Sequence, residues 1–156
     1  MLKRIVWTFG LLLFAVSAIA QTREETEAWI LQQGNMNTPL LRYYIERGEL
    51  VSEASFGPGA GSMGARPVQK AIPIGRITHI TYVRTDKYLS YSLMCDTPCS
   101  YLLDEPDEKP PKFLFEIYRK LDASFPARMN KALLHLIRLH GGSATIVKQG
   151  ASKEAF

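Results

Sequence analysis

The sequence predicts an α+β domain, mainly antiparallel β, with a short helix near its start and a longer amphipathic helix after the strands. Three observations carry that expectation. Between Leu40 and Leu121, apolar and polar residues alternate in short runs broken by Gly- and Pro-containing turns, the period-two signature of half-buried strands. From Met129 to His140 the apolar residues recur at spacings of three and four, the stripe of a helix facing a core. The composition, 156 residues with 46% apolar and 22% charged, is that of one globular domain and excludes a collagen, a coiled coil or a chain that is a disordered tail throughout.

The first element is an export leader. Met1-Leu2-Lys3-Arg4 is a short cationic start, Ile5 to Val16 is an apolar run too short to span a bilayer, and Ser17-Ala18-Ile19-Ala20 supplies the small residues a signal peptidase reads. Residues 1–20 are therefore expected to be a signal peptide, with residues 21–142 the single domain and 143–156 a disordered tail. Lys and Arg number 19 against 15 Asp and Glu; removing Lys3 and Arg4 leaves 17 against 15, a charge too small to point to nucleic acid. No later segment could span a membrane, so the expected product is exported, periplasmic or secreted.

Thr22 and Glu25 have the spacing of a capping box and predict a helix to about Gln33, stopped by Gly34, with Trp29 as its docking residue. Leu41–Ile45 and Leu50–Phe56 flank Glu46-Arg47-Gly48-Glu49, a hairpin turn. Gly57 to Pro67, with four glycines and two prolines, reads as a long loop. Strands are expected at Val68–Ile72, Ile77–Arg84 and Tyr88–Cys95, the odd positions of the last facing inward, and Cys99–Leu103 is expected to pair back onto it. Asp104 to Lys112 is a charged, Pro-containing loop, and Phe113, Phe115, Ile117 and Leu121 restore the period of two. Ser124 opens the last helix, Gly141-Gly142 ends it, and the residues beyond are polar and small apart from the apolar pair Ile146-Val147.

About seven antiparallel strands followed by a long helix is the element order of a pleckstrin-homology-like, partly open barrel whose mouth the helix closes. Glu24-Glu25-Thr26-Glu27-Ala28-Trp29-Ile30 and the run from Arg128 through Lys131-Ala132-Leu133-Leu134-His135-Leu136-Ile137 to Gly141-Gly142 resemble segments of small exported bacterial proteins of unknown function. The resemblance implies export and no activity.

Few residues invite chemistry. Cys95 and Cys99 flank a three-residue turn in a chain bound for an oxidising compartment, which predicts a disulfide stabilising by about 2 kcal/mol. The alternative, thiol redox catalysis, wants two intervening residues at a helix N-terminus. Gly59-Ala60-Gly61-Ser62-Met63-Gly64 has the dinucleotide-binding spacing but is followed by a strand instead of a helix, and reads as loop. His79, His135 and His140 make no zinc spacing and no nucleophile elbow is present, so no metal, cofactor or catalytic set is expected. Asp104-Glu105-Pro106-Asp107-Glu108 lacks the ligand alternation of a calcium loop and reads as solvated. Arg128, Lys131, His135 and Arg138 form a basic stripe on the last helix. The expected function is a non-catalytic binding or scaffolding module for a polypeptide, presented by an edge strand or the groove beside that helix. The alternative is a peripheral binder of anionic membrane using the stripe.

Overall fold

The computed structural model describes residues 22–38, 40–55, 67–85 and 87–149. The leader, the Gly59–Gly64 motif and residues 150–156 lie outside the described residues.

Helix α1 (Arg23–Gly34) starts on the predicted capping box: Thr22 Oγ1 accepts from the Glu25 amide at 3.1 Å and Glu25 Oε2 accepts from the Thr22 amide at 3.0 Å. Its anchor is the fully buried Ile30, whereas Trp29 is half-buried with its ring 6.1 Å from that of Phe125. Strands β1 (Leu41–Glu46) and β2 (Glu49–Ala54) form the expected hairpin. Arg47 and Gly48 both take positive φ, 52° and 81°, the turn whose twist matches that of the strands it joins.

The remaining strands are β3 (Val68–Pro73), β4 (His79–Arg84), β5 (Leu89–Met94), β6 (Tyr101–Leu102), β7 (Phe113–Ile117) and β8 (Thr145–Lys148), with α2 (Phe125–Leu139) between the last two. They form two four-stranded sheets, ordered β1-β2-β3-β6 and β7-β5-β4-β8, that do not join into a closed barrel. Leu89, Tyr91 and Leu93 of β5 are fully buried and alternate with half-buried Ser90, Ser92 and Met94, as the alternation predicts. One core takes Tyr43, Leu50 and Ile72 from the first sheet, Ile80, Tyr91, Leu93 and Phe115 from the second, Ile30 from α1, and Met129, Leu133, Leu136 and Ile137 from α2.

Three expectations are corrected. Tyr101–Leu102 pairs with β3, not with β5: after β5 the chain turns at the Cys95–Cys99 corner and crosses to the other sheet, where Ala71 faces Tyr101 and Lys70 faces Leu102. The period-two segment from Phe113 stops being strand at Ile117, and Leu121 packs on the core from a loop. The ordered chain does not end at Gly142. Gly141, with φ 79°, lets α2 close through Gly141 N–H to the Arg138 carbonyl at 3.0 Å and Gly142 N–H to the Ile137 carbonyl at 2.9 Å. Thr145–Lys148 then runs parallel to β4, so α2 is followed by an eighth strand and β7-α2-β8 is a crossover connection behind the second sheet. A side chain on Gly75 would meet the His140 carbonyl, and one on Gly142 would meet the Gly75 carbonyl, so these glycines set how closely the helix end approaches the 3-10 turn Ile74–Arg76.

Candidate functional site

The two cysteines are disulfide-bonded, with Cα atoms 5.9 Å apart. Cys99 is 7% exposed and belongs to the core, so the bond ties the crossing between the sheets to the packed interior.

The basic stripe is not a uniform free row. Arg128 Nη2 lies 2.7 Å from Asp122 Oδ2, and its guanidinium sits 5.6 Å above the Phe125 ring. The Ser124 hydroxyl and then Arg128 hold the Asp122 carboxyl below the ordinary carboxylate range. Arg138 Nε donates to its own helix at the Leu134 carbonyl, 3.2 Å away. Lys131 is exposed and His135 half-buried. Arg128 of the stripe is therefore paired with Asp122, both side chains remaining more than half exposed.

Other titratable clusters hold structure together. His140 Nε2 is 2.9 Å from Glu27 Oε1, with side-chain exposures of 10% and 21%, and this pair joins the end of α2 to α1. Tyr101 donates to Glu49 at 2.6 Å and Tyr118 to Glu116 at 2.8 Å; these hydrogen bonds push each phenol up to about 12. Thr78 Oγ1 donates to Asp96 at 2.8 Å and lies 2.9 Å from Nδ1 of His79, which also faces Asp96 at 3.4 Å. In a nucleophilic relay the carboxylate and the hydroxyl use opposite ring nitrogens; here both sit at one, so the hydroxyl is not activated. Among the described residues no three His, Cys, Asp or Glu side chains cluster as metal ligands, and no helix is long and apolar enough to cross a membrane.

Sheet edges distinguish one place from the rest. The open side of β1 is met by the Asn35 amide, which donates to the Tyr43 carbonyl at 2.8 Å and accepts from the Tyr43 N–H at 2.6 Å, imitating a neighbouring strand. The open side of β7 is met by the Tyr43 hydroxyl, which accepts from the Glu116 N–H at 2.9 Å and donates to the Leu114 carbonyl at 3.4 Å. β6 has two residues and soon enters the charged loop. β8 is the last strand of its sheet. Thr145 and Gln149 donate to the Thr78 and Tyr82 carbonyls of the β4 side, at 2.9 and 3.0 Å, so odd positions make the ladder. Ile146 and Lys148 thus direct their N–H and C=O groups away from β4, where no strand lies among the described residues. The signal in the sequence that was not read as a strand is the β-branched run Thr145-Ile146-Val147, which begins after Ser143-Ala144 beyond the Gly-Gly helix stop.

Comparison with protein-family models, with curated proteins and with solved structures finds no match to this chain.

Proposed function

We propose that this is an exported, non-catalytic binding module that takes an extended polypeptide as a further strand along β8. Its frame is a pleckstrin-homology-like pairing of two sheets around one core with a helix behind. The observation that carries this reading is the contrast between edges: side chains cover β1 and β7, β6 is short, and β8 leaves alternate backbone groups facing outward. Strand addition supplies its affinity through such backbone groups and needs no catalytic side chains. The disulfide fits an oxidising compartment and supports export.

A photo-crosslinking residue in place of Val147, which is 60% exposed, tests the reading in the native compartment. Polypeptide adducts at that position are expected, with none when the crosslinker replaces Arg128. Adducts only at Arg128, together with flotation on anionic but not neutral vesicles, would instead make the basic helix a membrane contact and reject the strand-addition reading.

A further inference from the structure

We infer that the segment received by β8 carries an apolar side chain and a carboxylate two residues apart, both on the side of the sheet that faces α2. This inference rests on strand addition at β8. Register places Ile146 beside buried Ile80 and Lys148 beside Tyr82, whose ring lies 5.5 Å from that of buried Tyr91. Ile146 and Lys148 therefore share the inner face, and Thr145 and Val147 the outer one. On α2, Asn130 accepts from the Tyr91 hydroxyl at 2.8 Å and faces the second sheet. At about 100° per residue, Leu134 and Arg138 lie on the same flank as Asn130, with Lys131 next to it. The opposite flank is taken by α1, which also packs on β1 and β7 at the far end of the second sheet and donates from Arg23 to the Leu139 carbonyl at 2.8 Å. The free flank of α2 is thus the one turned toward β8.

The open edge accordingly combines half-buried Leu134 and Ile146 with exposed Lys131, Arg138 and Lys148. No Asp or Glu occurs in α2, β4 or β8, so these cations have no carboxylate on the elements that form the edge. An added strand aligns alternate side chains with Ile146 and Lys148, which gives an apolar residue against the first and an acid against the second.

The test uses the full processed protein and labelled acetylated heptapeptides of threonine carrying one valine and one glutamate two positions apart, in both orders, with counterparts in which lysine replaces glutamate. Binding is read by fluorescence anisotropy, and the Ile146 and Lys148 amides are followed by hydrogen exchange. One glutamate peptide should bind about tenfold more tightly than its lysine counterpart at low salt, with the difference collapsing as salt rises, and should protect both amides. Lys148→Glu should reverse the preference. Lys148→Pro, which removes an N–H that makes no bond to β4, should abolish binding while leaving the melting transition in place. Equal protection by glutamate and lysine peptides, or a preference unmoved by Lys148→Glu, overturns the acidic partner and leaves strand addition standing. No protection by any peptide overturns both. Amides already protected in peptide-free protein that sediments as a dimer make a second copy of the chain the occupant and overturn the acidic peptide.

Discussion

Single hydrogen bonds decide much of this structure. Tyr43 is 1% exposed, and its hydroxyl satisfies the backbone of β7 from a side chain of β1; burial pushes that phenol far above the ordinary tyrosine range. Tyr43→Phe keeps the ring contacts with Phe113 and Phe115 but leaves the Glu116 N–H without its acceptor, and should cost about 1–3 kcal/mol in a denaturant titration. The phenols of half-buried Tyr101 and exposed Tyr118 give a pH test. Their hydrogen bonds to carboxylates raise them from 10.0 to about 12 in the folded state, so the unfolded chain loses these protons first as pH rises. The stabilisation is whole below pH 10 and is lost as pH climbs through about 12. Spectrophotometric titration of tyrosinate should place these two phenols among the late ones, with buried Tyr43 and Tyr91 later still, and Glu49→Gln should bring Tyr101 back toward its ordinary value.

At the scale of elements, α2 unites the two sheets' core residues. Leu133 and Leu136 are each 2% exposed, and cutting either to Ala should cost about 2–5 kcal/mol by leaving a cavity, against about 0.5 kcal/mol or less for exposed Lys131→Ala. Thermal melts of the three variants check this, and Leu variants that melt like the parent would show that the helix is not part of the core. α2 was legible because its period of 3.6 is sustained over four turns and its stop is written in two glycines. The hairpin was legible from its turn residues, and α1 from its cap. The partner of Tyr101–Leu102 was not, since pairing with β3 depends on the direction in which a disulfide corner sends the chain, and alternation carries no such direction. β8 was overlooked because four residues with one half-buried side chain barely differ from a polar tail; its order comes from the β4 edge it meets, which local sequence does not encode. The basic stripe was readable as a row of charges, but the pairing of Arg128 with Asp122, six positions before it, was not, because it depends on a fold-dependent contact.

The whole molecule is two sheets that share a core without sharing a ladder. They are fastened along one side by the Tyr43 phenol and at another corner by the Cys95–Cys99 bond. Protein recovered from an oxidising compartment should show no maleimide-reactive thiol before reduction. Cys95→Ser should lower the unfolding free energy by about 2 kcal/mol while preserving the circular dichroism spectrum. Two thiols that react without reduction would remove the covalent fastening and leave the corner to side-chain packing.

The parallel pairing of β4 with β8 has a consequence in time. His79 to Tyr82 must wait for Thr145 to Lys148 before that side of the sheet is covered, and those residues leave the ribosome dozens of residues later. Until then the nascent protein carries a bare β4 with apolar Ile80 behind it, the kind of surface that recruits wrong neighbours and slows folding. A chain stopped after Ser143 should make this intermediate permanent. It should retain α1 and the β1-β2 hairpin yet associate with itself at concentrations where the full chain remains monodisperse, as light scattering would record. Folding of the second sheet is thus completed by the strand that follows α2, and nonsense or frameshift changes that remove Thr145–Lys148 should act through aggregation.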